Sequence, residues 1–254
     1  MYLSAERLAL ANQAVKEAFG QCSIVWQAIP HWDTGDPGQI SVPNGIVATP
    51  NLIPVTTKSR TLELTLAETI APTPDALLTG VMTATKDLAK DLDDDVLPNL
   101  YTNAGNTITT GFTPQPLIDA LVDARADVET SGYRAPSCLV TNTEGLHRLN
   151  HLVGGYSILQ QLLSAGNINA LHRTKPLNAP DADPRLLLIG RRRRIPQGAA
   201  PEASPGEEPV DLAVSLLPSL ELDGENGTGK IQFTVRIRYA QRITDATGLV
   251  AIHN

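Results

Sequence analysis

His147 and His151 stand four residues apart, a spacing that lets two imidazoles share one helix face and ligate a metal. The intervening "RLN" lacks the glutamate of the zinc-hydrolase pattern, and His151 falls past the expected helix end, so exposed or capping histidines are expected instead. "ENGTGK", Glu225 to Lys230, has the glycines of a phosphate loop but neither its spacing nor the following Ser/Thr; a tight hairpin explains it better. Carboxylates gather in "DLDDDV", Asp91 to Val96, where a solvated helix end is expected because nothing nearby supplies the remaining metal ligands. Cys22 and Cys138 match no metal spacing and are expected to be small buried apolar side chains rather than a disulfide. No serine sits in a nucleophile-elbow context. The expectation is a protein that is not an enzyme, with no catalytic, cofactor or metal residues.

One chemical feature stays open. "RLLLIGRRRRIPQG", Arg185 to Gly198, sets four consecutive arginines into a chain whose formal net charge is -7. With 20 basic against 27 acidic residues and only 4% aromatics, a generally nucleic-acid-seeking surface or a base-stacking platform is disfavoured. Hydrophobic residues at 42% and charged residues at 19% suit a folded protein, and 254 residues can bury a substantial core. No run approaches the roughly 20 apolar residues of a membrane span, and no signal-type apolar core opens the chain, so an intracellular product is expected.

These residues must be positioned by a definite series of elements. Ser4 to Phe19 reads as a helix capped by Ser4, with Leu8, Ala11, Val15, Ala18 and Phe19 at helical spacing and Gly20 as its stop. Pro30 to Pro54 carries five prolines and little helix; its "QISV" and "GIVA" pieces could pair as a ribbon. "TLELTL" alternates like a strand. Thr73-Pro74 opens the longest helix, with Leu77, Leu78, Val81, Met82, Leu88, Ala89, Leu92 and Val96 on one face until Pro98. Further expectations are a helix from "PQPLIDALVDARADVETSG" to Gly132, a strand "SCLVT", a short helix capped by Asn142 or Thr143, and a glycine-entered helix in "GGYSILQQLLSAGNI". Leu186 to Ile189 reads as a buried strand, Pro196 to Pro209 as a mobile loop, and "DLAVSLL" as another strand. In "KIQFTVRIRYAQRIT" Ile231, Phe233, Val235, Ile237 and Tyr239 share one face, with Gln232, Thr234, Arg236 and Arg238 on the other.

Four stretches, "TLELTLAETI" with the 74–97 helix, "ALVDARADVETSGYRAPSCLVTNTEGLHRL", "GGYSILQQLLSAGNI" and "IQFTVRIRYAQRITDATGLVAIH", resemble the HK97-type shell proteins. That group comprises the major capsid proteins of tailed bacteriophages and the related encapsulins. The resemblance runs from about residue 60 onward and lies in element order and loose phrases rather than in an invariant motif. It implies an α+β, HK97-like capsid fold: an N-terminal arm at 1–29, an extended loop at 30–60, a peripheral domain with a long spine helix at 61–112 and 226–254, and an axial domain at 113–225. It also implies a major capsid protein self-assembling as pentamers and hexamers of an icosahedral shell around double-stranded DNA. The expected location is then the virion, assembled in the host bacterial cytoplasm. An encapsulin-type nanocompartment enclosing a cargo enzyme is the alternative, and a small-molecule enzyme with an α+β fold is the alternative of another class. No helical scaffolding segment precedes the first helix, so a separate scaffolding protein assists or none does; portal and decoration proteins are further implied partners.

The 30–54 arm is expected to reach a neighbouring subunit, being too long and proline-rich to pack on its own core, with Trp32 as its anchor. A lone subunit with this arm folded back on its own body would count against that view. Arg236, Arg238 and Arg242 are expected to pair with carboxylates across a seam, and Lys58 lies near the arm as a further contact candidate. Arg191, Arg192, Arg193 and Arg194 either pair with the acidic loop and neighbouring subunits or partly face packaged DNA as sequence-independent phosphate contacts.

Overall fold

Ser4 begins the first helix as the sequence suggests: its hydroxyl accepts from the Arg7 amide at 3.3 Å, satisfying one of the free donors of the first turn. The computed structural model describes residues 3–44, 51–178, 183–191 and 207–254. Helix α1 spans Ala5–Cys22 and buries Ala11, Val15 and Phe19. Gly20 does not stop it. Ser23 does, by turning extended and capping α2, Ile24–Ala28, through a bond from the Trp26 amide.

Three short strands follow: β1 (His31–Asp33), β2 (Ser41–Pro43) and β3 (Leu52–Pro54). β4, Thr56–Thr65, leads into α3, Leu66–Ile70, through a capping box between Thr65 and Glu68. α4 then runs from Asp75 to Thr102, burying Leu77, Val81, Leu88, Leu92, Val96 and Leu100. Two details differ from the sequence reading. Met82 lies off the buried face at 54% exposure, and the helix passes through Pro98 instead of ending there. Proline inside a helix costs about 3 kcal/mol. Here Val96, Leu97 and Leu100, all fully buried, hold the last turn by packing, which outweighs that cost.

The second half begins with β5 (Asn106–Thr109) and α5 (Pro114–Thr130), which stops at Gly132 in the left-handed region at φ +90. β6 (Arg134–Thr141) is followed by α6 (Thr143–Leu149), capped by Asn142. Gly154 and Gly155, both at positive φ, do not open a helix; they close a hairpin between β7 (Leu152–Val153) and β8 (Tyr156–Ser157) before α7 (Leu159–Ala165). β9 (Ile168–Arg173), β10 (Arg185–Arg191), β11 (Val210–Glu225), β12 (Lys230–Ile243), a 3-10 turn (Ala246–Gly248) and β13 (Leu249–His253) complete the described elements. "ENGTGK" is the β11–β12 hairpin, closed by Asn226, whose Oδ1 accepts from the Thr228 and Lys230 amides. The loop expected at 196–209 lies outside the described residues up to residue 206.

Two sheets organise the molecule. One has the order β1-β11-β12-β4, the other β5-β13-β10-β6-β9. Helices α1, α2 and α4 cover the inner face of the first, against Ile231, Phe233, Val235, Ile237 and Tyr239, as the alternation in β12 foretells. α5 and α7 pack on the second through Leu117, Leu121, Val128 and Leu162. β11, at 210–225, pairs with β12 in the first sheet, and β13, at 249–253, joins β5 and β10 in the second, so both sheets draw on strands from either side of the boundaries expected at 112 and 225.

The arm is corrected too. Its described part lies on its own subunit: β1 pairs parallel with β11, Trp32 opposite Ala213, and the Thr34 amide donates to Val214 O at 2.9 Å. β2 does form a ribbon, but with β3; the "GIVA" residues fall outside the described residues. Proline density did not forbid docking, because the side chains of this sheet supply the hydrogen bonds that the arm's backbone cannot make with itself.

Candidate assembly surface

Where the arm crosses β11 and β12, three side chains form a clamp. Arg242 and Asp211 are register partners on the two strands, and their side chains meet through bonds of 2.6 Å from Nε and 2.5 Å from an Nη, each residue only 3% exposed. The remaining Nη of Arg242 donates to Pro43 O at 2.9 Å, and its guanidinium lies 4.8 Å from the Trp32 ring centre. Beside them Val42, Ala213 and Ala240 form a small buried cluster with Trp32, Ile53 and Val55 packed against it. One turn of strand away, Arg238 donates to Pro37 O and, at 3.0 Å, to Gln39 O.

These contacts revise the sequence candidates. Arg242 is buried inside the subunit and cannot reach a neighbour's carboxylate. Trp32 stacks on it within its own subunit. Arg236 pairs with Glu221 of its own sheet, and Lys58 with Asp95 at 3.4 Å. Arg191 is half-buried at the end of β10, opposite Arg134 in register, and its charge adds to burial in lowering the His172 pKa. Arg192, Arg193 and Arg194 lie outside the described residues.

The acidic run is also relocated. Asp93 is 6% exposed, and its carboxylate accepts from Ser23 Oγ at 2.8 Å and from the Ile24 and Val25 amides at 2.9 Å each. It thus caps α2 from the middle of α4. Burial raises its pKa despite the three bonds, which pull the other way. Asp91 binds Arg60 and Asp94 binds Lys90, and Asp94 and Asp95 are exposed, so the solvated reading holds for those two and fails at Asp93. Sequence reading missed Asp93, although an aspartate four residues after buried Ala89 and three before buried Val96 sits on the apolar stripe. It missed Asn12 as well, which brackets the backbone of Leu220, accepting from its amide at 2.8 Å and donating to its carbonyl at 3.4 Å.

For chemistry the surface offers little. No three His, Cys, Asp or Glu side chains among the described residues are grouped to hold a metal. Cys138 is buried, with its thiol pushed up to about 11 by that burial, whereas Cys22 is exposed at the end of α1, against expectation. One open cleft is lined by Glu129, Tyr133, Arg134 and Asn167, another by Arg60, Leu62, Gly80 and Asp87. No described helix is long and apolar enough to cross a membrane.

No protein-family model matches the sequence, and no curated protein matches it. Solved structures do. A virus-like particle from Pyrococcus furiosus aligns at TM-score 0.69 and 13% identity over 98% of this chain and 98% of that one. The encapsulin complex of Synechococcus elongatus aligns at 0.64 and 11% identity over 91% and 88%. The capsid of Myoviridae phage XM1 aligns at 0.57 and 12% identity over 92% of each chain. The chain has the HK97-type shell fold. Within it Asp93, on the long helix α4, ties the N-terminal helices to that helix.

Proposed function

We propose that this chain is the repeating subunit of a closed icosahedral shell, the capsid of a tailed bacteriophage enclosing double-stranded DNA. The observation that carries the reading is the fold match across nearly the whole chain to a virus-like particle and a phage capsid. A free arm does not support it, since residues 31–44 lie on their own sheet. The four-stranded sheet with α1, α2 and α4 is assigned the peripheral role, and the five-stranded sheet with α5 and α7 the axial one. Self-association into pentamers and hexamers follows from closure of one heterologous contact around different axes. The role is structural rather than enzymatic. Arg191 and the arginines after it either pair with carboxylates of the acidic loop and of neighbouring subunits or in part face packaged DNA without reading its sequence.

The match to the Synechococcus encapsulin complex carries a second reading, a nanocompartment around a cargo enzyme. Negative-stain microscopy of the purified protein tests both: particles of uniform diameter are expected, and soluble monomers at every concentration defeat either shell. Nuclease-protected DNA inside native particles selects the capsid, and a co-purifying enzyme selects the compartment.

A further inference from the structure

Arg134 and Arg191 are register partners where β6 begins and β10 ends. Residues directly opposite in an antiparallel pair hold their Cβ atoms about 4.5–5.5 Å apart, and like charges placed so repel. The subunit leaves this repulsion unanswered. Among the described residues neither arginine forms an ion pair. A carboxylate is at hand, since Glu129 lines the same open cleft of about 430 Å³ as Arg134, yet it is bound to Arg125 at 2.8 Å. The charge of Arg191 is felt in the interior, where it adds to burial in lowering the His172 pKa and opposes burial at Cys138. Asn167 lines the cleft as well, exposed and at φ +46. Its backbone is engaged on both sides, the amide donating to Ser164 O at 3.1 Å and the carbonyl accepting from the Ser137 amide at 3.0 Å. Its carboxamide has no hydrogen bond among the described residues.

We propose that Arg134 and Arg191 together form a phosphate-binding site, with the Asn167 carboxamide as a further donor. A carboxylate presents two oxygens in one plane and satisfies a single guanidinium fork. A phosphate carries more than one charge and spreads its oxygens tetrahedrally, so it can accept from two opposed forks at once. Binding would turn the repulsion between β6 and β10 into a bridge, at the point where their register shifts between Ile189 and Arg191. The site stands on the geometry of one subunit. Only the source of the phosphate rests on the shell reading: in a shell around DNA it is a backbone phosphodiester, and otherwise it is free inorganic phosphate.

The test compares the full-length wild type with Arg134→Gln and Arg191→Gln. In chloride buffer the exposed change, Arg134→Gln, is expected to melt at or above the wild type, because the repulsion is gone. Millimolar inorganic phosphate at matched ionic strength should raise the wild-type melting temperature and leave both variants unmoved. Calorimetric titration with phosphate should show binding weakened about tenfold in each variant, the loss of one charge-assisted contact. An equal rise in all three proteins, or no rise in the wild type, overturns the site. A short DNA duplex followed by fluorescence anisotropy identifies the source. Duplex binding that phosphate displaces and both variants lose assigns the site to backbone phosphate; duplex binding indifferent to the variants assigns it to free phosphate. Microscopy separates this from the shell reading. A wild type that forms no particles yet shows the phosphate response defeats the shell and keeps the site, and particles without the response do the reverse.

Discussion

Arg242 and Asp211 share two hydrogen bonds across the β11–β12 pair while almost wholly excluded from water. Removing one partner strands a buried charge, which costs about 3–5 kcal/mol, whereas removing both leaves none. Arg242→Met is therefore expected to destabilise the protein by that amount, and Asp211→Leu by a similar one. The double variant should be less destabilised than either single one. Urea denaturation of the three variants checks this; a double variant as unstable as the sum of the two singles would show that the pair is not coupled.

Asp93 makes a pH-dependent contribution of unusual sign. Burial holds its folded pKa above the ordinary carboxylate value, so the folded protein keeps this proton at a pH where the unfolded chain has released it. Its contribution to stability is fully present below the unfolded pKa and declines as pH rises through the folded one. The stability of the wild type minus that of Asp93→Asn should fall as pH rises from about 4, then level off. A difference that grows over the same range would contradict it. Asp93→Ala leaves three donors from Ser23, Ile24 and Val25 without their acceptor and should cost about 2–4 kcal/mol at neutral pH, read by the denaturation midpoint.

Regular periodicity made much of this legible beforehand. The alternation from Ile231 to Tyr239 and the cap at Ser4 depend on residues near one another in sequence, and both appear in the structure as read. What escaped notice depends on partners far away along the chain. Arg242 looked like a seam residue because strand alternation places it on the polar face; only the arm crossing that face, through Pro43 and Trp32, buries it. Asp93 looked solvated because its neighbours are aspartates, yet α2 docks on it from about 70 residues upstream. The arm itself was misjudged because prolines weaken regular pairing without preventing side chains from binding main-chain carbonyls.

Arg238 holds that arm by two carbonyls, Pro37 O and Gln39 O, at a half-exposed position. Losing it should loosen the segment while sparing the core beneath. Arg238→Ala is expected to speed hydrogen exchange at the Gln39 and Val55 amides, whose acceptors are Asp36 O and Ile40 O, by tenfold or more. The global unfolding free energy should drop by no more than about 1 kcal/mol. Unchanged exchange at those two amides would show that the small cluster around Val42 holds the arm unaided.

Pro98 offers the opposite kind of test, a substitution expected to stabilise. It has no N–H to give the Asp94 carbonyl one turn back, and its ring crowds that carbonyl, yet α4 continues to Thr102. If buried Val96, Leu97 and Leu100 are what hold the last turn, then Pro98→Ala restores the missing bond without disturbing them. The variant should gain between about 1 and 3 kcal/mol and melt at a higher temperature. Calorimetry decides the matter. A lower melting temperature would mean that the last turn of α4 needs the bend that proline gives it, and that the packing of Leu100 depends on that bend.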